Sequence, residues 1–265
     1  MLATAVALLL LLSFSSCYER VEGCTDFNAV NFNAMADDPC CCMYPEFRFQ
    51  FQHRFGPDSV RFFADSVYQM GNGITLNILF LELVAGEFFL QTDDGMRVEV
   101  VDEIDFPNSD DVSCPCKDDL FILNPTSFNA VPGQIAQPGT YTGFGFSTGV
   151  PEDWMALEPG DFPDGHPLSQ ENRYDVDEMR FIGLRADITF PNQLQDTLEV
   201  RILNLNEPLF FDEIIEMETG QPFSIVLRVN YKTLLQGLEP GNINQTELSR
   251  ILTENLGEAI EVVSN

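Results

Sequence analysis

The sequence predicts an all-β protein: an antiparallel β-sandwich of about nine strands with a C-terminal helix. Three observations carry this. Phe47, Phe49, Phe51, His53 and Phe55 alternate without a break with Arg48, Gln50, Gln52 and Arg54, a period of two that belongs to a strand with one apolar face. Other short apolar runs follow at intervals, separated by Gly, Pro, Asn and Asp. Only the tail changes period, with Leu248, Ile251, Leu252 and Leu256 forming a helical stripe.

The chain opens with an export-type leader. Met1 to Ala7 precede the leucine run Leu8 to Leu12, and Ser13-Phe14-Ser15-Ser16 lead to Cys17. The apolar run is too short for a stable span and fits the core of a signal peptide. Small residues before a cysteine look like a bacterial lipobox, although no Lys or Arg precedes the run and Phe14 stands where leucine is usual. Residues 1–17 are therefore expected to be removed up to Cys17, which would carry the lipid. That places the protein in the cell envelope, lipid-anchored on the periplasmic or outer-membrane side, and tethered rather than spanning.

Six further cysteines remain, Cys24, Cys40, Cys41, Cys42, Cys114 and Cys116. An even set in an exported chain favours disulfides. Adjacent cysteines do not readily bond to each other, so Cys24 is expected to pair with one of Cys40, Cys41 and Cys42. A soft-metal thiolate cluster in that trio is the alternative. Residues 23–45 read as a small cap module that needs covalent staples to hold a shape. Its pattern, Gly23-Cys-Thr-Asp, then Asn31-Phe-Asn, then Asp37-Asp-Pro-Cys and Tyr44-Pro, resembles a short module of exported proteins from Bacteroidota-like bacteria.

Residues 46–265 form the main domain. After the Phe47–Phe55 strand, Ile74 to Val84 is almost wholly apolar and fits a central strand buried on both faces. A strand around Glu87–Leu90 follows, then an Asp93-Asp94-Gly95 hairpin signal and alternation from Met96 to Val101. Asp102 to Asp119 is rich in acid but lacks the spacing and central glycine of a calcium loop, so it reads as solvated. Leu120–Asn124 is a short strand ended by Pro125. From Gly139 to Pro151, Phe144 and Phe146 alternate with glycines that admit close approach of another backbone or mark a bulge. Met179–Phe190 reads as a long strand ended by Pro191. Leu198–Leu203 alternates, Leu209–Glu218 is mixed, and Phe223, Ile225, Leu227, Val229 and Tyr231 share one face. Thr246 is a candidate N-cap for the helix and Gly257 its expected stop.

Charge narrows the partners. The chain has 42 acidic and 13 basic residues, net −29. Such a surface repels nucleic acid and anionic membranes. Gly145-Phe-Ser147-Thr-Gly149 spells Gly-x-Ser-x-Gly, but it falls within an alternating strand rather than at a strand-to-helix turn, and no His-Glu-x-x-His, phosphate-binding glycine loop or Cys-x-x-Cys-His is present, so the sequence gives no sign of an enzyme.

The order of the motifs resembles the MbnP-like copper-binding family. The matching residues are Phe51-Gln52-His53-Arg54-Phe55-Gly56, the strand pair from Ile74 to Gly95, Gly139-Thr-Tyr-Thr-Gly-Phe-Gly-Phe-Ser-Thr-Gly-Val-Pro151, and His166-Pro167-Leu168. The resemblance implies an exported β-sandwich that binds copper, and a dihaem peroxidase-like partner protein. It carries over His53 and His166, the only two histidines, as Cu(I) ligands; two imidazoles suit that ion. Met155, Met179 and Tyr174 are possible additions to such a site, and core packing is the plainer role for the methionines. Where the family has a Trp-rich segment, this chain reads Arg173-Tyr-Asp-Val-Asp-Glu-Met179. The one tryptophan is Trp154. Against the copper reading stands a metal-free β-sandwich that binds a protein, a glycan or another envelope component, in which His53 is a hydrogen-bonded core residue.

Overall fold

The structure is a computed structural model that describes residues 19–57, 60–104, 106, 117–192, 197–203 and 205–263. The leader with Cys17, and the pair Cys114 and Cys116, lie outside these residues. Among the described residues no helix is long and apolar enough to cross a membrane.

The cap comes first. β1 (Glu22–Gly23) and β2 (Asp38–Pro39) pair in parallel, and Cys24 bonds Cys42 at 2.05 Å. Cys24 thus pairs within the trio, as expected. The adjacent Cys40 and Cys41 also form a pair, against expectation, with Cys41 in the left-handed region at φ 52°. Tyr44 fastens the cap, donating its N–H to the Gln134 side chain and its hydroxyl to Asp26.

β3 (Glu46–Arg54) is the Phe-rich strand, and its alternation holds: Phe47, Phe49, Phe51 and His53 are buried and the residues between them are wetter. β4 (Val67–Gln69) leads to β5 (Thr75–Gln91), one 17-residue strand where the sequence suggested two. Its first half is not buried on both faces, since Leu79 is exposed. Instead of breaking near Glu87, the strand kinks there with Glu87 at φ 54°. β6 (Arg97–Glu99) returns through the Asp-Gly hairpin, with Gly95 at φ 83°. β7 (Phe121–Leu123), β8 (Asn129–Gln134), β9 (Gly139–Tyr141) and β10 (Gly143–Thr148) follow.

A long connection then carries four short 3₁₀ turns. It ends in the small pair β11 (Tyr174–Asp175) and β12 (Arg180–Phe181), followed by β13 (Leu184–Thr189). The expected strand from Met179 is therefore split at Gly183. A Cβ there would lie 3.1 Å from the Gly149 Cα, and one on Gly149 would lie 1.8 Å from the Leu205 carbonyl oxygen. Three chain segments cross at these two glycines, the close approach that the sequence foretold. β14 (Thr197–Ile202), β15 (Glu207–Phe211), β16 (Ile215–Met217) and β17 (Phe223–Asn230) complete the sheets. Then come α1 (Tyr231–Leu234), α2 (Gln245–Ala259) and β18 (Ile260–Val262). Asn244, not Thr246, caps α2 by accepting the Glu247 N–H, and the helix runs through Gly257.

Two sheets make the sandwich. The larger has the order β14-β13-β5-β10-β15, with β4, β6 and β7 also pairing along β5, every pairing antiparallel. The smaller has the order β18-β17-β3-β8, and there β17 and β3 run parallel, a departure from an all-antiparallel fold. The sheets meet through phenyl rings. Phe47 lies 4.7 Å from Phe88, and Phe49 lies 5.2 Å from Phe121 and 5.7 Å from Phe144. Each such ring contributes roughly 1.5–3 kcal/mol by burial alone, so the Phe-rich strand anchors the fold. A second apolar cluster, around Trp154, Phe162, Leu168 and Phe181, packs the long connection onto one end of the large sheet.

Candidate functional site

The two histidines are placed by different elements. His53 projects from the apolar face of β3 and is 4% exposed. Its Nε2 donates to the Ser127 carbonyl at 2.6 Å, and its Nδ1 accepts the Tyr231 hydroxyl at 2.8 Å. That assignment makes a neutral imidazole with both nitrogens used. Burial lowers its pKa, opposed by the Ser127 bond and assisted by the positive charges of Arg54 and Arg61. Tyr231 stacks on it at 5.8 Å, and burial raises the phenol well above its usual value.

His166 sits at the head of the 3₁₀ turn Pro167–Ser169, where its Nδ1 accepts the Leu168 N–H at 3.1 Å. The ring stacks on Phe162 at 4.7 Å and meets Trp154 edge-on at 5.8 Å. Nε2 is buried without a hydrogen-bond partner, and the nearest carboxylate oxygen, from Asp118, lies 3.6 Å away. Burial, with help from the Arg173 charge, pushes the imidazole down to about 4. It is therefore neutral at physiological pH and makes no ion pair with Asp118.

Arg173 holds this loop to the sheet. Its guanidinium donates twice to Glu82, at 2.7 and 2.9 Å, and once to the Pro167 carbonyl at 2.7 Å. Both charged side chains are nearly buried. Met155 and Tyr174 pack against the same apolar cluster that seats His166. Met179 is exposed, in the left-handed turn between β11 and β12 at φ 51°. Trp154 is a core residue of the cluster.

These positions bear directly on copper. His53 and His166 share none of the contacts described above: one is sealed among Phe128, Tyr231 and Ser127, the other among Trp154, Phe162 and Leu168. Among the described residues no group of three or more His, Cys, Asp or Glu could hold a metal. A metal on His166 Nε2 would need that nitrogen deprotonated while Nδ1 still accepts the Leu168 N–H. That would make an imidazolate or break the turn. The residues present do not fit a site built from both imidazoles.

Sequence reasoning missed Asp119. The acidic loop was read as solvated, but Asp119 is 3% exposed. Its carboxylate accepts the N–H groups of Glu87, at 3.0 Å, and Phe88, at 2.6 Å, and so pins the kink in β5. Burial outweighs those two donors and pushes it up to about 7, with Glu87 and Asp118 adding to the rise. Asp102 is also engaged, accepting from the Gln134 backbone and side chain. The available signal was position: Asp119 directly precedes the apolar strand Leu120–Leu123.

No family model matches the chain, and no curated protein matches it. Among solved structures, MbnP from Methylosinus trichosporium is similar, with 13% identity and a TM-score of 0.49. The likeness covers 73% of this chain and 78% of that one.

Proposed function

We propose that this chain is an exported, non-catalytic β-sandwich protein that acts by binding a ligand or partner, with no metal at its histidines. The hydrogen bonding of His53 supports this reading. Both ring nitrogens are spent inside the fold, so a metal would have to displace either the Tyr231 hydroxyl or the Ser127 carbonyl from a dry site. The leader ending at Cys17 supports export and a lipid tether, and the position of the Gly145–Gly149 Gly-x-Ser-x-Gly string, with Ser147 inside β10 rather than on a strand-to-helix turn, supports a non-enzyme.

A second reading keeps copper, bound through His166 without His53. It draws on the MbnP-like motifs, and it requires the Leu168 N–H to release His166 Nδ1 so that Nε2, which has no hydrogen-bond partner, can offer a lone pair. A dihaem peroxidase-like partner belongs to this reading only.

Cu(I) titration in competition with a chromogenic chelator, under reducing conditions, separates the two. The protein, His53→Ala and His166→Ala are compared after export to a periplasm. No uptake by the parent protein supports the metal-free reading. One Cu per chain, lost in His166→Ala alone, favours the second. Loss in both variants would restore a site shared by the two histidines and overturn the first reading.

A further inference from the structure

The outer face of the large sheet carries an aromatic shelf. Register aligns Phe89 of β5, Gly145 of β10 and Phe210 of β15 in one row across three strands, and Glu99 of β6 extends it. The glycines of β10 make room for the rings. A Cβ on Gly145 would meet Phe89 Cζ at 2.5 Å, and one on Gly143 would meet Phe210 Cζ at 2.5 Å. The two phenyls therefore lie over the strand rather than standing off it. Their planes agree within 14° and their centres are 6.2 Å apart. Phe210 is 44% exposed.

A cleft of about 530 Å³ opens over this shelf, with Trp154 in its wall. Its polar fringe mixes donors and acceptors. Arg97 lies 4.0 Å above the Phe89 ring, Gln91 offers both kinds of group, and Lys117 shares the lining with four carboxylates, Glu87, Glu99, Asp119 and Asp153. On a chain of net −29 the cleft is acidic on balance, although Asp119 is engaged by the Glu87 and Phe88 N–H groups and Lys117 pairs with Glu103. It does not suit an anion. Flat apolar surface bordered by mixed hydrogen-bonding groups matches a ligand whose faces are C–H and whose edges are hydroxyl.

We propose that this cleft binds a neutral glycan, with a sugar ring laid on Phe210 beside the Arg97-covered Phe89 and its hydroxyls met by Gln91, Arg97 and Glu99. The inference rests on reading the chain as a binding module, and it does not depend on either histidine.

Affinity electrophoresis through gels containing a neutral β-glucan or xylan tests it, with alginate as the anionic comparator. Emission from Trp154, the single tryptophan, reports occupancy in solution. The expected result is retardation by a neutral polysaccharide. Phe210→Ala should weaken it by roughly tenfold or more, as truncating an aromatic anchor does. Phe128→Ala, an exposed phenyl outside the cleft, should bind normally. Gly145→Ala gives a second arm, because it displaces the Phe89 ring, and presses on the Leu209 carbonyl, while removing no polar side chain. No retardation by the neutral polymers overturns the proposal, as does equal retention of Phe210→Ala. Capture of peptides in a Phe210-dependent way, with no glycan retained, also overturns it. A negative result here combined with no Cu(I) uptake would sink the glycan and leave the binding-module reading intact.

Discussion

The Tyr231 hydroxyl donates to His53 Nδ1 at 2.8 Å across the smaller sheet, where the last residue of an apolar face meets the first strand of the sandwich. Removing that hydroxyl strands a buried acceptor. Tyr231→Phe is therefore expected to lose about 1–3 kcal/mol, the usual cost of an unsatisfied buried group. Urea denaturation measures it. A loss below about 0.5 kcal/mol, typical of a surface change, would mean that water reaches His53.

The buried titrating groups predict opposed pH dependences. The imidazoles of His53 and His166 titrate below the ordinary 6.5, His166 at about 4. A lowered base stays neutral in the fold while the unfolded chain takes up a proton, so stability is lost as pH falls from 6.5 towards 4. Asp118 and Asp119 are shifted the other way, Asp119 from 3.8 to about 7. The Asp119 contribution is fully present below 3.8 and is lost as pH rises through about 7, and that of Asp118 has the same sign. Denaturation midpoints followed across that window should rise with pH in Asp119→Asn and fall with pH in His166→Gln. The same slope in both variants would contradict these shifts.

Arg173→Ala leaves Glu82 charged and nearly buried without its partner. Breaking such a pair costs about 3–5 kcal/mol. Arg173→Lys should recover little, because a single ammonium cannot reproduce the fork that reaches both Glu82 oxygens and the Pro167 carbonyl. Hydrogen exchange should quicken between residues 152 and 182 and leave β3 protected. Unchanged exchange in that segment would show that the apolar cluster alone holds it.

Cys24→Ser paired with Cys42→Ser opens the cap. Closing a loop of this length is worth roughly 3 kcal/mol in the chain-entropy account. Because the cap is a peripheral unit, its loss should appear as protease cleavage between residues 24 and 42 with the sandwich still folded. A protease-resistant double variant would show that the Tyr44 bonds and cap packing suffice.

The strands were the readable part of this sequence. Phe47 to His53 announced both the strand and its buried face, because period two is a local property. The pairing of β3 with β17 was not readable: both strands alternate cleanly, and nothing in either fixes direction. The β5 strand was read as two, Ile74–Val84 and one around Glu87–Leu90; Gly86 and Glu87 stand where they join. They form a kink that persists only because Asp119, 32 residues away in sequence, accepts two N–H groups there. For the site, burial of both histidines was readable for His53 alone. Which atoms each ring would meet was not, since Ser127 and Tyr231 reach His53 from distant segments and Phe162 reaches His166 only through the turns of the long connection. The Gly-rich motif was correctly read as a place of close approach. At Gly143 and Gly145 what approaches includes side-chain rings on the outer face, a possibility that a backbone-only argument overlooks.

The parallel partnership of β3 and β17 joins Phe47 to Phe223 and Arg54 to Asn230. The most aromatic strand of the protein is therefore among the first to be synthesised; β8 follows early, but its parallel neighbour exists only after almost the whole chain. Contacts this distant in sequence make folding slow and leave apolar surface open to self-association meanwhile. The delay leaves the smaller sheet incomplete until the final strands emerge.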